Sequence, residues 1–150
     1  MKEYKTNSSE ETIDLAFKIG SFLKKGYVIL LNGELGAGKT TFSKGIGRAL
    51  GIKNNISSPS FTILKRYEVN EELVLNHLDL YRLEGVNFDF DLEEYILDED
   101  SITVIEWPFQ VEELLPKEYL LIDIKYISDE KRSFNIIPKG KKYEELVSKL

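Results

Sequence analysis

Gly33-Glu34-Leu35-Gly36-Ala37-Gly38-Lys39-Thr40 fits the eight-residue pattern Gly-x-x-x-x-Gly-Lys-Ser/Thr, which binds phosphate. Glycines at 33, 36 and 38 let successive backbone N–H groups turn inward and form a nest for phosphate oxygens. Lys39 can bridge β- and γ-phosphates as a compact cation, Thr40 can ligate Mg²⁺, and Thr41 can reach the α-phosphate. By chance, roughly one chain in a few hundred of this length carries such a pattern, so its surroundings must support it.

Two acids are placed to complete that chemistry. Nucleotide hydrolysis needs a carboxylate beside Mg²⁺, normally at the end of a strand neighbouring the glycine loop. Asp79 closes the run Leu73–Leu78, and Glu106 closes Ile102–Ile105. Carboxylates at the carboxyl ends of buried strands face the crevice where open α/β sheets bind ligands. Both are candidate catalytic residues, and Thr40, Asp79 and Glu106 are candidate metal ligands. Which acid touches the metal, and which acts as base, the residues leave open. His77 shares a strand face with Asp79 and Tyr81, and reads better as a structural histidine than as a catalytic one. The Ser57–Ser60 stretch could close a hydroxyl over the γ-phosphate, or be an ordinary turn.

The elements that must position these groups are legible. Tyr27–Leu31 is an apolar run of strand length directly before the loop. Phe42, Ile46, Ala49 and Leu50 follow it at helical spacing, with Gly51 as a stop. Upstream, residues 2–6 suit a short edge strand. Ser8 and Glu11 form a capping box for an amphipathic helix carrying Ile13, Leu15, Ala16, Phe17, Ile19, Phe22 and Leu23, ended by Gly26. Ser9, inside the polar segment Ser8–Thr12, is a candidate contact to the adenine side of a nucleotide. Downstream, Phe61–Val69 and Leu73–Leu80 predict a hairpin around Asn70-Glu71-Glu72, hence a mixed sheet. Asp89–Leu97 predicts a helix, Ser101–Trp107 a buried strand ended by Pro108, Leu120–Ile127 and Ser133–Ile137 a late hairpin, and Tyr143–Leu150 a terminal helix.

Composition narrows the classes. At 150 residues and 42% hydrophobic, the chain suits one domain spanning 1–150. It has no cysteine and one histidine, which excludes disulfides and thiolate metal sites and argues against Ser-His-Asp catalysis. No apolar run approaches the ~20 residues of a membrane span, and the first residues lack a signal-peptide core, so a cytoplasmic location is expected. The net charge of −6 is uneven. Residues 1–60 hold nine Lys/Arg against five Asp/Glu, whereas residues 61–110 hold three against thirteen. Such a chain is a poor candidate for gripping nucleic acid alone. The acidic stretch Asp89–Asp100 is a solvated face or a surface for a basic partner.

Four segments together, GELGAGKTT at 33–41, SPSFT at 58–62, HLDLYR at 77–82 and IEWP at 105–108, resemble the TsaE family of small ATPases in bacterial tRNA threonylcarbamoyladenosine synthesis. Ser60 stands where that family usually has threonine. The resemblance implies a single-domain P-loop NTPase fold, an α/β arrangement with a mixed, mostly parallel sheet, flanking helices and antiparallel hairpins. It implies ATP or ADP with Mg²⁺, and weak hydrolysis by the isolated chain. It also implies two partners: the synthase subunit that transfers threonylcarbamoyl to tRNA and its paralogous companion. Transfer RNA is then met only through the complex, and neither membrane nor DNA is a partner. Carried over by position, Lys39 and Thr41 contact phosphates, Thr40 ligates Mg²⁺, Asp79 and Glu106 hold the metal and its water, Trp107 lies beside the nucleotide, and Ser60 and Arg132 are further contacts. Two other classes share the loop. A small-molecule kinase needs lid arginines, whereas Arg48, Arg66, Arg82 and Arg132 are scattered; a GTP switch needs an Asn-Lys-x-Asp motif, which is absent.

Overall fold

Aliphatic side chains at every position from 28 to 31 leave no polar face to turn to water, so this segment belongs inside a sheet covered on both faces. The computed structural model describes residues 1–34, 36–57, 63–81 and 92–150. Among the described residues the chain runs β1 (Lys2–Thr6), α1 (Ser9–Gly20), β2 (Val28–Asn32), α2 (Lys39–Ala49), β3 (Leu64–Glu68), β4 (Val74–Asp79), α3 (Leu92–Ile96), β5 (Ser101–Glu106), a 3-10 helix (Pro108–Leu114), β6 (Tyr119–Tyr126), β7 (Arg132–Lys139) and α4 (Lys141–Ser148). The strands form one mixed sheet in the order β1-β7-β6-β2-β5-β4-β3. Its centre is parallel, β2 pairing with β5 and β6 and β4 with β5. Its margins are antiparallel: β3–β4, β6–β7 and β1–β7. Short turns suffice for the two hairpins, whereas parallel neighbours need crossovers.

Helices cover both faces. On one, Ala16 and Ile19 of α1, Phe42 and Ile46 of α2 and Tyr143 and Leu146 of α4 pack on Ile29, Leu31, Val104, Ile122 and Phe134. On the other, Leu92 and Ile96 of α3 cover Val28, Leu30, Leu78 and Ile105. α1 lies so close to α2 that a Cβ on Gly45 would stand 2.5 Å from the Ala16 Cβ and 2.6 Å from the Ile13 carbonyl oxygen. α2 ends as expected at Gly51, whose φ of +78° allows a Schellman closure by Gly51 N–H to Arg48 O and Ile52 N–H to Gly47 O.

Several expectations are corrected. α1 stops at Gly20 rather than Gly26. There Ser21 Oγ donates to Lys18 O, and tight bonds from Phe22 N–H to Ile19 O and Leu23 N–H to Gly20 O unwind it. Phe22 and Leu23 still reach the core, but from a turn. Phe17, taken for the apolar face, is 47% exposed. Ser8 caps Glu11 N–H as predicted, yet the Glu11 carboxylate reaches back to Asn7 N–H rather than to that of Ser8. The 3-10 helix after Trp107 was not anticipated; Pro108 opens it. Leu35, the SPSFT segment with Ser60, Arg82 and the start of the Asp89–Leu97 helix lie outside the described residues.

Candidate functional site

β2 delivers the chain into the glycine loop, and α2 begins at Lys39, so the helix N-terminus opens onto whatever the loop encloses. Gly36 and Gly38 take φ of +81° and +113°, in the left-handed region that side chains disfavour. Gly33 has a different reason to be glycine: a Cβ there would stand 2.8 Å from the Ile124 carbonyl oxygen. The guanidinium of Arg132, at the start of β7, donates from Nε to Ala37 O at 2.8 Å and so fastens the loop to the sheet.

The parallel pairing of β4 with β5 sets Asp79 directly beside Glu106 at the strands' carboxyl ends. Both are buried, at 3% and 2% exposure. Asp79 accepts the Tyr81 N–H at 3.0 Å. Glu106 Oε2 lies 2.6 Å from His77 Nε2. Lys39, Thr40, Thr41, Gly36, Gly38, Asp79, Glu106, Trp107, Tyr81 and Arg132 line one cavity of about 390 Å³. A loop, a cation, a hydroxyl and two carboxyls that are far apart in the chain thus meet in one place. Two carboxyls and a threonine hydroxyl are the hard oxygen donors that suit Mg²⁺, which takes few protein ligands and completes its shell elsewhere.

Lys39 is folded back. Its Nζ donates to Gly33 O at 2.6 Å and Glu34 O at 2.9 Å, and lies 4.1 Å from the centre of the Trp107 ring. Burial pushes its pKa below the usual lysine value, while Glu106 and, to a lesser extent, Asp79 pull it up again. Trp107 itself has φ +57° and ψ +53°, a left-handed conformation rare for a bulky residue, and its ring meets Tyr81 at 4.7 Å.

The other predicted contacts among the described residues fall around this centre. Ser9 lines a small cleft with Thr12, Gly38, Thr41 and Arg132, which places the start of α1 against the loop. Gly33 and Glu34 line a neighbouring cavity of about 510 Å³ with Trp107, Asn32, Asp123 and Lys125; it is larger, but Lys39, Asp79 and Glu106 do not line it. Ala37, within the loop, is buried. Leu35 and Ser60 lie outside the described residues. Sequence reasoning missed Ser43, whose hydroxyl sits between Lys39 O and His77; only its spacing of one helical turn from Lys39 could have suggested it. Tyr81 was read as sharing the His77 and Asp79 face, but not as a wall of the cavity.

A family model described as Threonylcarbamoyl adenosine biosynthesis protein TsaE matches residues 6–134. The chain belongs to the TsaE family. It is 40% identical over 148 residues to the tRNA threonylcarbamoyladenosine biosynthesis protein TsaE of Bacillus subtilis (strain 168), covering 99% of this chain and 92% of that one. The protein of the same name from Aquifex aeolicus (strain VF5) is 38% identical over 141 residues, 93% of this chain and 98% of that one. The crystal structure of Bacillus subtilis YdiB aligns with a TM-score of 0.85 at 37% identity, covering 99% of this chain and 92% of that chain. Membership in the TsaE family therefore rests on nearly the whole chain, and the overall fold is similar to that of a solved structure. Among the described residues no helix is long and apolar enough to cross a membrane.

Proposed function

We propose that this TsaE-family chain is a P-loop ATPase that binds Mg-ATP and hydrolyses it slowly, in support of threonylcarbamoyladenosine formation on tRNA. The observation that carries the reading is the single cavity shared by the glycine loop, Lys39, Thr40, Asp79 and Glu106. The relatives, tRNA threonylcarbamoyladenosine biosynthesis proteins, suggest the pathway.

In this reading the loop's N–H groups and the N-terminus of α2 receive the phosphates. Lys39 leaves the Gly33 and Glu34 carbonyls to bridge β- and γ-phosphate oxygens, so its present bonds are exchanged rather than lost. Thr41 contacts the α-phosphate. Arg132 and Ser9 border the nucleotide, and Trp107 packs beside it. Thr40, Asp79 and Glu106 hold Mg²⁺, which supplies charge neutralisation at the phosphate oxygens. The carboxyls of Asp79 and Glu106 also orient the attacking water, the positioning on which phosphoryl transfer depends. The chain acts in the cytoplasm with the threonylcarbamoyl-tRNA synthase subunit and its paralogous companion, and meets tRNA through them.

The experiment is nucleotide binding by calorimetry and steady-state phosphate release, with each protein and tRNA omitted in turn. The expected outcome is slow release by the chain alone, no change with tRNA alone, and clear stimulation by both partners together. Lys39→Ala should abolish nucleotide binding, whereas Asp79→Asn and Glu106→Gln should bind nucleotide and lose most turnover. Unchanged ATP binding by Lys39→Ala would sink the loop assignment. Fast phosphoryl transfer to a small hydroxyl acceptor would replace the ATPase with a kinase.

A further inference from the structure

His77 is fully buried on β4, two residues before Asp79. In the β4–β5 register it faces Val104, while Asp79 faces Glu106. Its contact with Glu106 is therefore a diagonal one along a single face of the sheet. Nε2 stands 2.6 Å from Glu106 Oε2 and 3.4 Å from Ser43 Oγ. Ser43 Oγ donates to the Lys39 carbonyl at 3.1 Å. Nδ1 has no hydrogen-bond partner among the described residues. A proton at Nδ1 would leave a buried donor unused, so the ring's proton belongs on Nε2, where Glu106 accepts it.

A histidine that served only the core would be expected to bond a nearby carbonyl. This one bonds a carboxyl of the candidate site, and through Ser43 it also meets the first turn of the helix that carries Lys39 and Thr40. A glutamate has three side-chain torsions to order, and one short bond to a ring clamped inside the sheet removes most of that freedom.

We propose that His77 is a positioning residue for Glu106: it holds Oε2 so that the carboxyl is presented to the cavity shared with Thr40 and Asp79. The proposal rests on reading that cavity as the Mg-ATP site. Outer partners of this kind govern the orientation of metal-binding carboxylates, and their loss costs about 10- to 100-fold in metal affinity or activity.

The test uses the full chain and three readouts: ADP binding in EDTA by calorimetry, Mn²⁺ affinity of the ADP complex by electron paramagnetic resonance, and phosphate release. His77→Leu should keep metal-free ADP binding and lose about 10- to 100-fold in both Mn²⁺ affinity and turnover. His77→Asn keeps a polar side chain, but its amide falls at the Nδ1 position; it should behave like His77→Leu if the latter does not fold. His77→Gln, whose amide nitrogen reaches the Nε2 position, should recover most of both quantities. Adding His77→Leu to Glu106→Gln should cost little more. Wild-type Mn²⁺ affinity and turnover in His77→Leu or His77→Asn would overturn the proposal. So would loss of metal-free ADP binding in step with turnover in all three variants, which marks a merely structural role. Failure of the ATPase reading looks different: the unaltered chain would then bind no nucleotide.

Discussion

Replacing Gly45 by alanine should drive α1 and α2 apart. The added Cβ would stand 2.5 Å from the Ala16 Cβ and 2.6 Å from the Ile13 carbonyl oxygen, where ordinary contact begins near 3.4 Å. The obstacle on one side is backbone, so no rotamer change relieves it, and α1 must retreat by about 1 Å. A gap of that size forfeits between a quarter and a half of each van der Waals contact it opens. Overpacking of this kind costs about 1–3 kcal/mol, while exchanging glycine for alanine inside a helix returns about 1 kcal/mol. Because one obstacle is backbone, the upper part of that range applies, about 2–3 kcal/mol, and the net expectation is a loss of about 1–2 kcal/mol, a fall in Tm of about 2–8 °C for a chain of this size. Gly47→Ala, two residues along the same helix, is the control. There the added atom meets only the end of the Ile56 side chain, which can turn aside, so this variant should be distinctly more stable than Gly45→Ala. Because α1 begins at Ser9 beside Gly38 and Thr41, Gly45→Ala should also weaken nucleotide binding. Thermal melts monitored by circular dichroism, with calorimetric titration of ADP, read both effects. A Gly45→Ala protein melting at or above the parent temperature would refute the close-packing argument.

Further predictions concern Trp107 and Tyr143. Lys39 Nζ lies over the ring of Trp107, the chain's single tryptophan, so Mg-ADP should shift its emission as the ammonium leaves for the phosphates. The shift should vanish in Lys39→Ala, and a spectrum unmoved by saturating nucleotide would place Trp107 outside the site's response. Tyr143 Oη accepts the Val28 N–H at 2.8 Å, and burial raises its pKa from 10.0 to about 12. The folded state therefore holds this proton more tightly than the unfolded chain. That stability is whole below pH 10 and lost as pH rises through about 12, a loss of roughly 1–2 kcal/mol after solvent screening. Denaturant titrations from neutral pH to pH 12 should show it. Tyr143→Phe should be less stable at neutral pH by about 1–3 kcal/mol, since it strands the buried Val28 N–H, and should lack that alkaline component. An unchanged alkaline slope would exclude Tyr143 as its source.

Features carried by neighbours in the chain were legible in the sequence. The glycine loop, the strand before it and the helix after it occupy one stretch, and their spacing and periodicity are sufficient to place them. The acids at 79 and 106 were found because each ends an apolar run, and the hairpins because a short polar turn separates two strands. Local pattern could not say where α1 stops, since Phe22 and Leu23 continue the helical spacing while packing from a turn. Nor did it reveal the 3-10 helix after Trp107, whose type depends on how Pro108 redirects the chain.

What only the tertiary structure decided was adjacency. Alternation along a strand says which residues share a face, but strand order and register decide which residues of other strands they meet. The parallel β4–β5 pairing sets Asp79 against Glu106, and the same register brings His77 to Glu106 across 29 residues of chain. Arg132 reaches the glycine loop across 95 residues because β7 returns beside β6, and β6 lies against the loop strand. Lys39 was recognisable as the loop's cation from its position alone. That its ammonium also lies over the Trp107 ring depends on a strand end some seventy residues away, which the parallel β2–β5 pairing brings to the loop.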